Sequence, residues 1–268
     1  MRVDALVLAG ADNKGKLQAV SSCEYEALIA VNNEPMVSYV VRALQNTESV
    51  ARIVVVGPAQ VGEVIGAHIP IIAQGTSLAD NIKRGVDYLE TDKMVLVVTS
   101  DIPFINPEAI EDFLERCGDL DGDLFYPVVS KEANEKVFPN VERTYFQLRE
   151  GVFTGGNVIL IAPQVVGDCQ EMMKKTVALR KKPVQLCRLL GLRFIIKFLM
   201  HTLSVAEIES RVKTLFSING VVVISPYPEI GVDVDKPSDW QLAEDFLSRQ
   251  VTENDSCATE QVEGLKNI

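Results

Sequence analysis

The sequence predicts an α/β fold with a mostly parallel, partly mixed sheet, helices on both faces, and a helical basic insertion at about 163–215. Three observations carry this. Short apolar, β-rich runs alternate with helix-period segments four times within about the first 115 residues. The runs end in turn-forming residues such as Ala9-Gly10 and Gly57-Pro58. After Asp123 the rhythm changes, and the strand-like runs are joined by connections that read as non-helical.

The elements follow in order. Val3 to Leu8 is a strand buried on both faces. Residues 9–25 are polar and irregular. Pro35 occupies the first position of a helix in which Met36, Val37, Val40, Val41 and Leu44 repeat at helical spacing. Ile53 to Val56 and Ile69 to Ala73 are the second and third strands. Leu78, Ile82, Val86 and Leu89 mark the next helix, and Met94 to Thr99 is a fourth strand running into Ser100-Asp101-Ile102-Pro103. Pro107 opens a helix reaching about Cys117. Right-handed crossovers place these helices on both faces of the sheet. Further on, Leu124–Val129, Tyr145–Leu148 and Val158–Ile161 are strand-like, 163–215 is mostly helical, Val221–Ser225 is a last core strand, and Pro237 starts a closing helix to about Leu247. One domain spans 1–250. The tail 251–268 has four acids, one lysine and little apolar content, and is expected to be disordered.

Composition narrows the function. The 268 residues are 47% hydrophobic and 24% charged, with a formal net charge of −11. That balance argues against nucleic acid as a partner, because phosphate backbones demand cationic surfaces. Five scattered cysteines without CxxC spacing read as reduced intracellular thiols. Only His68 and His201 are present, so a histidine-rich metal site is excluded. Asp4 interrupts any signal-like apolar run, and no uncharged run reaches the roughly 20 residues of a spanning helix. A cytoplasmic protein is the expectation.

In a parallel sheet, ligands bind at the carboxyl edge of the strands. Three polar elements fall there. The loop Leu8-Ala9-Gly10-Ala11-Asp12-Asn13-Lys14-Gly15-Lys16 follows the first strand. It reads either as a phosphate cradle of glycines, N–H groups and lysines or as an ordinary surface loop. Asp101 follows the fourth strand and sits too early to cap the helix at Pro107, which favours a Mg²⁺ ligand. In Gly231-Val232-Asp233-Val234-Asp235-Lys236-Pro237, two acids two residues apart on an extended segment point to one locus. Either they share an ion, or one of them caps the helix at Pro237.

Together these residues resemble the MobA-like, GT-A-like (Rossmann-like) nucleotidyltransferases, which include molybdenum cofactor guanylyltransferase and sugar- or polyol-phosphate cytidylyltransferases. The likeness runs through Val3–Gly10, Glu26-Ala27-Leu28-Ile29 with Glu34-Pro35-Met36-Val37, Ser100-Asp101-Ile102-Pro103, Gly155-Gly156-Asn157 and Asp233-Val234-Asp235-Lys236-Pro237. The resemblance implies an NTP, with CTP or GTP favoured, bound over Leu8, Ala9, Gly10, Ala11 and Lys14. It implies Mg²⁺ (or Mn²⁺) held by Asp101 and Asp235, with Asp233 as the substitute, and Lys16 as a catalytic cation. The Gln74–Asn81 segment, with Gly75, Ser77 and Asn81, falls where the family contacts the base. Thr154-Gly155-Gly156-Asn157, with Gly156 and Asn157, falls where it shapes the acceptor pocket. The implied reaction moves a nucleoside monophosphate to an anionic, phosphorylated or lipid-linked acceptor and releases pyrophosphate. Two positions depart from the pattern: Ala11 replaces a glycine and Glu26 replaces the lysine before Ala-Leu. Glu26 keeps open a nucleotide-binding or assembly protein without turnover, and a nucleotide-sugar glycosyltransferase shares the broad fold.

Between Lys174 and Ala206 lie eight basic residues and no acid. Arg193, Lys197 and His201 recur at i, i+4, i+8 amid apolar residues, which predicts a helix with a cationic stripe. Three readings stay open: a helix packed on the core or across a homodimer, an acceptor-binding lid, and peripheral membrane contact through 187–203.

Overall fold

The computed structural model describes residues 1–139, 141–167 and 191–249. Its centre is β1 (Val3–Leu8). β4 (Val50–Val56) and β6 (Val95–Thr99) flank β1 in parallel, and β5 (Ile71–Ile72) extends the sheet beyond β4. One helical turn, α2 (Gly62–Ile65), lies between β4 and β5. The side chains of β1 alternate as a strand requires. Val3, Ala5 and Val7 join Val37, Val40 and Leu44 of α1 (Met36–Gln45) and Phe113 and Leu114 of α4 (Pro107–Gly118) on one face. Leu6 points the other way, to Ile82, Val86 and Leu89 of α3 (Leu78–Leu89). A Cβ on Gly85 of α3 would stand 2.3 Å from the Leu6 Cδ1, so that glycine lets the helix seat on the sheet. Asp4 is fully buried yet paired with Arg52 at 2.6 Å, which also donates to the Leu89 carbonyl at 2.8 Å.

The second half is mixed, as expected. β10 (Val158–Ile161) runs antiparallel to β6. β7 (Leu124–Ser130) pairs with β10 through Leu124 and Phe125 and with β9 (Gly151–Gly155) through Val128–Ser130. β11 (Gly220–Ser225) lies parallel along β7 from Leu124 to Val129, and β8 (Phe146–Leu148) closes on β9. Three elements correct the sequence reading. Residues 131–137 are α5 (Lys131–Val137), a helix capped by Ser130 Oγ accepting from the Ala133 N–H at 3.1 Å. β9 is a strand of its own. A two-stranded hairpin, β2 (Ala30–Val31) with β3 (Glu34–Pro35), precedes α1 across Asn32 and Asn33, both with positive φ. Asparagine tolerates that left-handed conformation, which allows so tight a turn.

A third core cluster holds the site in place. Phe104, Phe138 and Phe246 form a ring trio with centroids 4.9–5.5 Å apart. Val232 and Val234, both fully buried, pack into the same cluster beside the closing helix at 237–249.

Within 163–215, residues 163–167, Leu192–Leu199 and Val205–Phe216 are helical. Residues 168–190 and the tail 251–268 lie outside the described residues. The cationic stripe does not form as expected. Lys197 turns inward to pair with Glu207, and the helix ends before His201, which takes a left-handed φ of 57°. No helix among the described residues is long and apolar enough to cross a membrane.

Candidate functional site

The carboxyl edge of β6 delivers Asp101, and a single backbone contact delivers its partners. The Val234 N–H donates to the Asp101 carbonyl at 2.9 Å. In this extended segment Val232 and Val234 turn into the core, so Asp233 and Asp235 turn out of it. Ligand oxygens of Asp101, Asp233 and Asp235 all lie within 4.8 Å of one another. The carboxylate of neither Asp233 nor Asp235 caps the closing helix. Instead the Asp239 carboxylate accepts from the Asp235 N–H at 3.3 Å.

The three acids are not equivalent. Asp101 Oδ1 is buried with no hydrogen-bond partner, and burial pushes Asp101 up to about 7. Asp235 is also raised, by burial and by the neighbouring Asp233 charge. Asp233 is tied to Arg143, whose guanidinium also donates to the Gly231 carbonyl. Arg143 thus neutralises one carboxylate, while Asp101 and Asp235 have no protein cation paired with them among the described residues, and burial raises both. Clustered carboxylate oxygens with an unpartnered buried atom are a donor set that suits a hard divalent cation.

The acids stand between two cavities. The first, about 440 Å³, is lined by Leu8, Gly10, Ala11, Asp12, Glu26, Gly75, Ser77, Asn81 and Asp101, among others. Its floor loop is ordered by a short ladder in which the Asn13 N–H donates to the Glu24 carbonyl and the Glu26 N–H to the Ala11 carbonyl. The N–H groups of Gly10, Ala11 and Asp12 make no hydrogen bond among the described residues. Asn81 Oδ1 accepts from the Gly75 N–H at 2.6 Å, and Ser77 caps α3. The second cavity, about 780 Å³, is lined by Lys16, Tyr126, Arg143, Gly156, Asn157, Asp233 and Asp235, among others. Asn157 Nδ2 is buried there without a partner.

Most residues expected from the sequence therefore meet at one cleft. Ala9 and Lys14 do not line it. Ala9 is fully buried against Gly57, and Lys14 is exposed and paired with Asp12. Glu26 faces both cavities, and its carboxyl is raised by burial and by Asp235, Asp12 and Asp233. The first cavity carries Asp12, Glu26 and Asp101 and no lysine or arginine. Arg143 and Tyr126 escaped the sequence reading. Arg143 sits in an irregular segment 90 residues from Asp233, and only the need of two close acids for a counterion hinted at it. Cys117 is fully buried, and burial pushes its thiol up to about 12, so it stays un-ionised.

A doubly wound sheet with a carboxylate cluster at the carboxyl edge of its strands, set between two cavities, is the α/β architecture that holds a ligand at that edge. The MobA-like NTP transferase domain model matches residues 23–183, and the chain belongs to that family. A hypothetical transferase from Thermus thermophilus is 34% identical, with a TM-score of 0.80, over 90% of this chain and 100% of its own. Two more distant structures share the fold. CMP:2-keto-3-deoxy-manno-octonic acid synthetase complexed with CTP is 12% identical, with a TM-score of 0.63, over 93% of this chain and 100% of its own. The 2-C-methyl-D-erythritol 4-phosphate cytidylyltransferase of Thermus thermophilus is 14% identical, with a TM-score of 0.53, over 92% of this chain and 98% of its own. No curated protein sequence matches the chain.

Proposed function

We propose that the protein transfers a nucleoside monophosphate from an NTP to an anionic acceptor and releases pyrophosphate, with Mg²⁺ bound by Asp101 and Asp235. The observation that carries this reading is the convergence of Asp101, Asp233 and Asp235 within 4.8 Å, between two cavities. A divalent cation held there neutralises charge developing at the α-phosphate. Residues of the chain do the rest. Gly10, Ala11 and Asp12 offer N–H groups to the phosphates, and Gly75, Ser77 and Asn81 wall the nucleoside side. Arg143 holds Asp233 and so fixes the direction of Asp235. Lys16 lines the second cavity, where the other two cations are committed to acids, Arg143 to Asp233 and Lys236 to Glu142. Lys16 is thus placed to meet an acceptor's negative charge, while Gly156 and Asn157 shape its seat. Catalysis on these terms is positioning and charge neutralisation.

The test is product analysis. The protein is incubated with each NTP, Mg²⁺ and a panel of phosphorylated acceptors. Pyrophosphate release that depends on both Mg²⁺ and acceptor supports the reading. Release of a nucleoside diphosphate from a nucleotide sugar would instead make it a glycosyltransferase.

A second reading has its own observation. With Asp12 paired to Lys14, Glu26 and Asp101 are the carboxylates left without a cation in the lining, and the nucleotide cavity is poorly matched to a free triphosphate. A nucleotide-binding protein without turnover fits this too. It predicts Mg²⁺-dependent binding but no pyrophosphate with any acceptor.

A further inference from the structure

Asn134 lies in the middle of α5 and is fully buried, although its side chain is polar. A leucine would fill such a position without the cost of desolvating an amide. The amide instead makes one directed contact. Its Nδ2 donates to the Tyr145 hydroxyl at 2.9 Å, while its Oδ1 finds no partner among the described residues. That bond reaches a stretch of chain with little else to hold it. The backbone of Glu142, Arg143, Thr144 and Tyr145 makes no hydrogen bond among the described residues. Glu142 pairs with Lys236, but its carboxylate is exposed, and such a pair is a weak anchor. Arg143 stands two residues before Tyr145, at most about 7 Å along the chain. α5 also lies against β7, β9 and the short turn Pro228–Ile230. The Gly231 carbonyl that receives the Arg143 guanidinium follows that turn directly. One helix thus borders both the segment that carries Arg143 and the turn that presents its backbone acceptor.

We propose that Asn134 and Tyr145 are positioning residues for the cleft: their hydrogen bond fixes the segment from which Arg143 reaches Asp233 and Gly231. Neither residue lines either cavity, and each acts through Arg143. A buried hydrogen bond is directional and costly to leave unmade, so it sets where the chain runs as well as covering it. Without it the segment keeps its covalent ends and loses its register on α5. The Arg143 guanidinium then samples other directions, and Asp233, left without a fixed counterion, repels Asp235. The consequence for metal binding rests on the transferase reading; the holding of Arg143 does not.

Side-chain NMR of the full chain reads Arg143 directly. Its Nε–H is buried without a hydrogen-bond partner among the described residues, so exchange of that proton with water reports how often the guanidinium leaves its seat. Tyr145→Phe deletes one hydroxyl and leaves the Asn134 amide unpaired. It lowers the unfolding midpoint and speeds the Arg143 exchange by about tenfold or more. In the double variant Asn134→Leu, Tyr145→Phe both polar partners are gone, so the midpoint returns toward that of the unmodified protein. The Arg143 exchange stays fast. That split between stability and position separates positioning from packing. Exchange as slow in the double variant as in the unmodified protein overturns the proposal, because packing alone would then hold the segment. Mn²⁺ titration is the second arm. The double variant binds Mn²⁺ at least about fivefold more weakly, as the loss of an outer partner of a metal ligand does. Unchanged Mn²⁺ affinity with fast exchange makes the bond structural only and overturns the proposal. No Mn²⁺ binding by the unmodified protein overturns the metal reading instead, and the exchange rates still decide whether Asn134 and Tyr145 hold Arg143.

Discussion

The Val234 N–H and the Asp101 carbonyl meet at 2.9 Å, and this bond joins the end of β6 to the entry of the closing helix. Val232 and Val234 anchor in the third core cluster, and the acids between and after them are presented to Asp101. Two remote acidic motifs become one donor set because an extended segment alternates its faces.

Metal affinity should follow the protonation of Asp101. Burial pushes this carboxyl up to about 7 in the metal-free protein. A raised acid is protonated over a wider range when folded, and a protonated carboxyl is a poor ligand. Mg²⁺-dependent nucleotide binding should therefore strengthen as pH rises through about 7 and weaken below it. Mg²⁺ titrations at about pH 6 and about pH 8 check this. Asp101→Asn should abolish the metal dependence and leave the protein folded.

Arg143 makes a separate prediction. Its guanidinium reaches both the Asp233 carboxylate and the Gly231 carbonyl, which a lysine ammonium cannot match with the same planar fork. Arg143→Lys should keep the fold but lower turnover by about tenfold or more, with NTP affinity much less affected. Arg143→Met should cost more in both, because Asp233 and Asp235 then repel each other without a counterion. Steady-state kinetics, separating kcat from KM, decide it.

Glu26 offers the sharpest charge reversal. It faces both cavities and has no ion-pair partner among the described residues. Glu26→Lys should tighten NTP binding by about tenfold or more, since two charge units change sign beside the triphosphate. Calorimetric titration measures it. Weaker binding would mean that the carboxylate itself contributes to the nucleotide site.

Much of this was legible in the sequence. The runs of β1, β4 and β6 are apolar because both faces are covered, and α1, α3 and α4 show their buried residues at helical spacing. Asp101, Asp233 and Asp235 were readable because each sits at a strand end or on an alternating segment. What escaped was non-local or short. α5 depends on one serine cap and seven polar-rich residues, too few for a period to emerge. Arg143 has no motif, and only the folded chain brings it to Asp233. Lys197 sat on a cationic stripe by spacing, yet Glu207 on the following helix captures it. Ala9 and Lys14 belonged to the loop by sequence, but burial and the Asp12 pair remove them from the cleft.

The seating of α3 on the sheet gives a test of the fold alone. A Cβ at Gly85 would stand 2.3 Å from the Leu6 Cδ1 in a fully packed layer. Gly85→Ala should destabilise the protein by about 1–3 kcal/mol, although alanine favours the helix itself. Urea unfolding checks this, and a stabilised variant would show that α3 is free to shift outward.

The central claim is that the acidic cluster binds metal and nucleotide together. Thermal unfolding with ATP, GTP, CTP and UTP, each with and without Mg²⁺, tests it most directly. Ligand at about 100 times its Kd adds about 2.7 kcal/mol, a rise of several degrees in Tm. We expect that rise with at least one nucleotide, only when Mg²⁺ is present, and its loss in Asp235→Asn. A Tm unmoved by all four nucleotides with Mg²⁺, or a shift that Asp235→Asn retains in full, would contradict the account.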